Sequence, residues 1–506
     1  MGIDKKKVIY LGFWVFIAIL VILKLLNIFN NKIDVDEALL QIQSNVDFDF
    51  IDIVIRLTPD PPLMWYLANT IAHFFPNISL YILRVFSFLS FIMIVLLILI
   101  YFKNFIEINL LKVILLLISL NPLIWFYSVF AKPYIFELLI STLLIIVVHK
   151  TIDDFNEAHI FIFSLLTAIL FYYSYHTIYF IISLFIGQLF ILYDKDKTIK
   201  FIITRYLLSV FIFILAILPW TGVFLNQFQQ VKMCWAVKIS DIFRFSFWGT
   251  LQDLLFLICN GNWFFWPKII LITLSLFTLP LLIYSLYSIV RDHNNKFTRF
   301  LIIIAVFPLV ISFILNLFQK SSVYYPRMYL TSLLPILIII GYAISKMIKI
   351  KAGKVYIGII LLLMAFSSIL QLFGKHPVKA KNISEIINIA KENSTTDTQI
   401  LVHPPIMAYL LAAYDFKNYY TICTDISNQQ SSTCSSFISP DEKCYEFLKD
   451  ISRKYDKLLL INNKSVSDLM VDKENILQLY LKVLSYENTL LYKDSQYEVI
   501  LFLRQK

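Results

Sequence analysis

The run Val8–Phe29, VIYLGFWVFIAILVILKLLNIF, passes within a few residues into Asp34-Val35-Asp36-Glu37, and this junction decides the class of the protein. At a rise of 1.5 Å per residue the run is about 33 Å long as a helix, which matches the hydrocarbon thickness of a bilayer. Lys5-Lys6-Lys7 ahead of it imitates a secretion signal. The apolar run is too long for a signal core, however, and no small-residue cleavage site follows. It reads as an uncleaved first membrane span. The acids continue at Asp47, Asp49, Asp52 and Asp60, forming the densest single-sign cluster in the chain.

Outward from that junction, the 506 residues are 59% hydrophobic and only 15% charged, with a mean hydropathy of +0.74. Such a composition belongs to polytopic membrane proteins. Eleven candidate spans follow from apolar runs: Val8–Phe29, Ser79–Phe102, Leu110–Phe130, Pro133–Val148, Ile160–Tyr173, His176–Leu192, Phe201–Leu225, Pro267–Val290, Phe300–Phe318, Arg327–Ile344 and Val355–Phe373. The stretch Ala158–Tyr193 would be about 54 Å long as one helix, too long for a single crossing, so it divides near Ser174–His176.

The net charge of +10 does not point to nucleic acid, because the basic residues fall mainly in short loops between spans. Lys103, Lys112, Lys150, Lys195, Lys197, Lys200, Arg205, Arg291, Lys296, Arg299, Lys346, Lys349, Lys351 and Lys354 all lie on one side when the N-terminus is cytoplasmic. Positive charge resists translocation, so this arrangement predicts a multi-pass cell-membrane protein. The acidic loop and the C-terminal part then lie outside the cytoplasm. Residues 1–374 form the membrane domain and 375–506 a soluble α/β domain. In the latter, Asn382–Glu392 has helical periodicity, and Thr398–Val402, Leu458–Ile461 and Val499–Leu503 read as strands. Cys423, Cys434 and Cys444 would be extracytoplasmic, where a disulfide can form, but no pairing follows from their spacing.

The first outer loop predicts two short helices, over Asp36–Ser44 and Pro61–Phe75, suited to the membrane surface. Trp235, Trp248, Trp263 and Trp266 in a later loop fit an interfacial aromatic belt. Asp36 and Glu37 could accept a proton from an attacking hydroxyl or hold a divalent cation; acids also simply cap helix N-termini. Lys132, in Ala131-Lys132-Pro133-Tyr134, could neutralise a phosphate, or could snorkel to lipid headgroups. Glu137 lies one turn into the next span, where a carboxylate is costly unless it faces a polar interior. Arg84 and Arg327 occupy outer ends of spans, where an arginine implies an anionic partner. His176, flanked by tyrosines, is a weaker candidate for contact with substrate. No glycine-rich phosphate loop, zinc-ligand array or nucleophile elbow is present, so a soluble nucleotide sugar is an improbable donor.

Four local patterns occur in order on one predicted face: Asp36-Glu37-Ala38; Pro61-Pro62-Leu63 with following aromatics and then Arg84; Ala131-Lys132-Pro133-Tyr134; and Pro326-Arg327-Met328-Tyr329-Leu330 with Pro335. Together they resemble the GT-C superfamily of membrane glycosyltransferases. The bacterial branch similar to protein O-mannosyltransferases and aminoarabinose transferases (glycosyltransferase family 39) is the nearest in pattern. The resemblance implies inverting transfer of a sugar from a polyprenyl-phosphate donor to an acceptor protein, lipid or glycan. It makes Asp36 the base with Glu37 beside it, and either acid the ligand of a divalent metal ion where one is used. Arg84, Lys132, Tyr134, Glu137, His176 and Arg327 become candidates for substrate binding. One departure stands out: relatives carry a basic residue or histidine before the Pro-Pro pair, where this chain has Asp60. A lipid-linked sugar flippase, or another membrane glycan polymerase or ligase, is the alternative reading. The sequence leaves oligomeric state open.

Overall fold

The structure is a computed structural model. It describes residues 5–29, 37, 40, 61–76, 78–104, 106–153, 156–192, 199–226, 280–291, 296–319, 329–372, 389–393, 398–403, 419–421, 457–463, 486–493 and 497–504. The chain packs as two compact units. The first comprises Met1–Asn30, Asp60–Met64 and Leu80–Phe373, and the second Asn31–Pro59, Trp65–Ser79 and Gly374–Lys506.

The first unit is a bundle of apolar helices. In chain order these are α1 (Lys5–Ile28), α2 (Pro62–Phe74, which continues into the second unit), α3 (Ser79–Tyr101), α4 (Ile108–Leu120), α5 (Pro122–Tyr127), α6 (Tyr134–Asp153), α7 (Glu157–Tyr173), α8 (Ile178–Leu192), α9 (Ile199–Ile217), α10 (Lys296–Gln319), α11 (Leu330–Met347) and α12 (Lys351–Leu372). Residues 280–291 are also helical. Five described helical stretches are long and apolar enough to cross a membrane, beginning at Ser79, Tyr134, Tyr175, Ile199 and Leu330.

Helix α3 illustrates how the bundle is built. Phe91, Ile94 and Ile98 are buried, as is Phe102 in the 3-10 turn that follows, whereas Leu89, Met93, Leu96 and Ile100 stand exposed on the opposite side at helical spacing. An apolar stripe of that kind suits contact with lipid, while the buried stripe packs on neighbouring helices. Helix α11 differs, because every residue from Leu330 to Ile344 is buried. It is the central element, packed against α4, α6 and α10. Gly341 permits this approach: a Cβ there would come within 3.1 Å of Ile114 and 3.2 Å of Leu110 on α4.

Two interruptions shape the bundle. Ser174, at φ −161° and ψ 123°, ends α7, and one turn of 3-10 helix (Tyr175–Thr177) leads into α8. The division near Ser174–His176 that length demands is therefore present. The stretch Leu110–Phe130, expected as one span, is two helices. The side chain of Asn121 accepts hydrogen bonds from the amides of Leu123 (3.0 Å) and Ile124 (3.1 Å), and Pro122 opens α5. A capping asparagine followed by proline at the first helical position favours a new helix start over continuation. Leucine-rich flanks mask that signal in a hydropathy reading.

In the second unit, the expected helix over Pro61–Phe75 is α2, and Glu37 and Leu40 are helical. Five strands form one sheet in the order β2-β1-β3-β5-β4. They are β1 (Thr398–His403), β2 (Tyr419–Thr421), β3 (Lys457–Asn463), β4 (Tyr486–Lys493) and β5 (Tyr497–Arg504). β1 runs parallel to β2 and β3, while β5 is antiparallel to β3 and β4, with a register shift between Leu490 and Tyr492. The continuous apolar run of β3 occupies the central place in the sheet. Residues 389–393 carry the described part of the expected Asn382–Glu392 helix.

Candidate functional site

Several buried polar groups, Arg84, Ser87, Ser128 and Glu137 among them, lie on α3, α6 and the turn between α5 and α6. Arg84, 4% exposed, donates through Nη1 to the carbonyl oxygen of Ile28 at 3.2 Å. Carbonyls in the last turn of a helix lack an internal donor, so this guanidinium satisfies one and fixes α1 against α3. One turn further along α3, the Ser87 hydroxyl donates to the carbonyl of Phe130 at 2.7 Å. That bond ties α3 to the turn carrying Lys132.

Residues 128–133 are compact. The Ser128 hydroxyl donates to the carbonyl of Trp125 at 2.9 Å, and the Lys132 amide to the carbonyl of Phe130 at 2.9 Å. Phe126, Tyr127, Phe130 and Tyr134 form an aromatic cluster, with Tyr127 and Tyr134 edge-to-face at 4.6 Å between centroids. Such pairs are favourable beyond the area they bury. They hold Tyr134 nearly buried beside the half-buried Lys132.

Glu137 is 1% exposed and lies in the first turn of α6, its amide bonded to the carbonyl of Pro133 at 3.0 Å. The positive end of the helix dipole favours a carboxylate there. Ser141, one turn on and so on the same face, donates to the carbonyl of Thr331 at 2.6 Å. Glu137 is thus on the face of α6 that packs against the start of the central helix α11.

The expected site residues divide as follows. Hydrogen bonds and ring contacts link the segments carrying Arg84, Lys132 and Tyr134, and α6 carries Glu137 one turn beyond Tyr134. His176 is exposed in the 3-10 turn after α7, between the half-buried Tyr175 and the buried Thr177. There the indole of Trp220 donates to the Tyr175 hydroxyl at 2.7 Å. Glu37 is helical and 1% exposed in the second unit. Asp36, Asp60, Arg327, the tryptophans Trp235, Trp248, Trp263 and Trp266, and the three cysteines of the C-terminal part lie outside the described residues. Among the described residues no group of three or more His, Cys, Asp or Glu side chains is placed to hold a metal ion.

Lys24 escaped the sequence reading. It is fully buried in α1, with Nζ 3.5 Å from the ring centroid of Phe91 and 4.9 Å from that of Trp125. A lone lysine inside an apolar run was the available signal, since an ionisable group there is expensive and usually functional.

Neither a protein-family model nor a curated protein sequence matches the chain. Solved structures do. ArnT from Cupriavidus metallidurans bound to undecaprenyl phosphate is similar over 98% of both chains, at 9% identity and a TM-score of 0.55. The archaeal oligosaccharyltransferase AglB from Archaeoglobus fulgidus, in complex with an inhibitory peptide and a dolichol-phosphate, aligns over 99% of this chain and 75% of its own. Its identity is 13% and its TM-score 0.49. At 9% identity the likeness speaks for architecture alone, and it extends along almost the whole chain: this protein shares the fold of ArnT.

Proposed function

We propose that this protein is an integral membrane glycosyltransferase that moves a sugar, with inversion, from a polyprenyl-phosphate donor to an acceptor protein, lipid or envelope glycan. The observation that carries the reading is the burial of Glu137 and Arg84 around the Lys132 turn at one end of a GT-C bundle. Charged side chains inside a membrane bundle are expensive, and function is the usual reason they persist. The similarity to a structure holding undecaprenyl phosphate supports the donor class. The basic loops support a topology of about eleven spans with a cytoplasmic N-terminus. Residues 375–506 then form an extracytoplasmic α/β domain.

In the reaction so proposed, an acceptor oxygen attacks the anomeric carbon from the face opposite the phosphate. Its proton passes to the Asp36 carboxylate, with Glu37 beside it. The bond from the anomeric carbon to the phosphate oxygen breaks as positive charge develops on the sugar, much as in glycosidases. The electron pair leaves on the polyprenyl phosphate, where Lys132 offsets the growing negative charge. Arg84 and Arg327 orient the donor, Tyr134 and His176 contribute to substrate contact, and Glu137 holds the polar end of the bundle open to it. A divalent cation at Asp36 or Glu37 would add electrostatic support; no step above depends on one.

The test is transfer from a radiolabelled polyprenyl-phosphate sugar to membrane acceptors by the purified protein, alongside lipid analysis of a deletion strain. Asp36→Asn should abolish transfer and leave membrane insertion intact. Retention of most activity by that variant sinks the assignment of the base. Movement of intact donor across vesicles without transfer would favour the flippase.

A further inference from the structure

We infer that the carboxyl ends of β1 and β3 form a saccharide-binding site, with His403, Asn462 and Asn463 as the residues that recognise the hydroxyls of a glycan acceptor. The site itself follows from the sheet, and only the ligand's role as acceptor rests on the transfer reaction proposed above.

The sheet, in the order β2-β1-β3-β5-β4, reverses its direction of growth between β1 and β3. From β1 the chain steps to β2 on one side, and from β3 it steps to β4 on the other. β1, β2 and β3 are parallel. β4 is antiparallel to β5, and β5 to β3, so β4 runs parallel to β3 as well. Both steps therefore join parallel strands, and such crossovers are right-handed almost without exception. Right-handed crossovers that step in opposite directions leave on opposite faces, which opens a crevice between the strand ends from which they part. In open sheets of this kind that crevice, outside the carboxyl ends, is where ligands bind.

The residue types at that point select the ligand. β1 reads TQILVH and β3 KLLLINN, each apolar through its middle and polar where it reaches the reversal. Register pairs His403 with Asn462, which places them on one face of neighbouring strands, and Asn463 ends β3 one residue later. An amide both donates and accepts hydrogen bonds, and a neutral imidazole does the same through its two nitrogens. A sugar hydroxyl also does both, so adjacent hydroxyls match adjacent amides without the desolvation of a charge. A phosphate or a divalent cation would call for opposite charge. These three positions supply no carboxylate, lysine or arginine. A neutral, polyhydroxylated ligand fits them best.

The experiment uses the full-length protein in nanodiscs, with mannotriose, maltotriose and N-acetylchitotriose as probes read by isothermal titration calorimetry. At least one should bind the wild type. Asn462→Ala and His403→Ala should each weaken that binding by about fivefold to tenfold, the scale of one lost hydrogen bond, at an unchanged unfolding temperature. Should either variant unfold, two milder ones decide the matter. Asn462→Asp keeps the shape, loses the donors and should weaken binding, whereas His403→Gln keeps a donor and an acceptor and should retain part of it. A wild type that binds none of the three probes, or full affinity in both alanine variants, overturns the inference. Asn462-dependent binding of inorganic phosphate or of an unglycosylated serine-rich peptide, in place of a saccharide, assigns the crevice to another ligand and refutes the glycan. Sugar transfer is assayed on the same samples. Saccharide binding at this site without transfer sinks the proposed reaction and leaves the site standing, and transfer without saccharide binding does the opposite.

Discussion

The hydroxyl of Ser87 and the carbonyl oxygen of Phe130 lie 2.7 Å apart, a hydrogen bond spanning 43 residues of chain and joining the middle of α3 to the turn before α6. Ser87 also reaches the carbonyl of Leu83 in its own helix at 3.3 Å. The shorter bond is the one that positions Lys132. Ser87→Ala leaves the Phe130 carbonyl buried without this donor, at a cost of about 1–3 kcal/mol by soluble-protein precedent and less in a membrane bundle. Transfer activity should fall by more than thermal stability does, and Ser87→Thr should restore part of it. Equal loss in both measurements would assign Ser87 to packing alone.

In the proposed reaction Lys132 meets the negative charge that develops in the transition state. Lys132→Ala should reduce turnover by on the order of 10²–10³, equivalent to about 2.7–4 kcal/mol. Lys132→Arg should retain a larger share of the activity. The check is single-turnover kinetics at saturating donor, which separates this effect from weaker binding. Unchanged turnover with a raised KM would reassign the residue to ground-state binding.

Glu137 tests whether charge or shape matters at the first turn of α6. Glu137→Gln preserves volume and removes the negative charge. Activity should drop by about tenfold, the scale of one charge-assisted hydrogen bond, while yield from membranes stays normal. Glu137→Ala should do worse, since it also leaves space beside the packed α6–α11 contact. An active Glu137→Gln protein would mean that this carboxylate serves structure only.

Gly187 offers a control away from the site. A Cβ there would lie 2.6 Å from Cδ2 and 2.9 Å from Cε2 of Phe300, whose ring is fully buried between α8 and α10. Gly187→Ala should destabilise the bundle by about 1–3 kcal/mol, the cost of overpacking, and lower the unfolding temperature without altering KM. Gly222→Ala meets no atom within 4 Å and should be neutral or slightly stabilising. Equal melting of the two variants would contradict the close α8–α10 approach.

The amino-acid sequence by itself marked most of the described helices of the bundle, because a bilayer demands about 20 apolar residues per crossing and the chain supplies them in runs. It also determined the break at Ser174, required by length, and strands β1, β3 and β5, each carrying an apolar run. Only tertiary structure decided the rest. The three-residue β2 and the polar-rich β4 exist because their neighbours in the sheet complete their hydrogen bonds. The break at Asn121 was written as a cap but became visible only when its side chain closed on the amides of α5. Above all, sequence alone left Lys24 as one polar letter in an apolar run, whereas packing set it between Phe91 and Trp125. Periodicity reports which face of a helix is apolar. Burial of a charge depends on residues 67 and 101 positions further along the chain, which only the folded bundle brings to it.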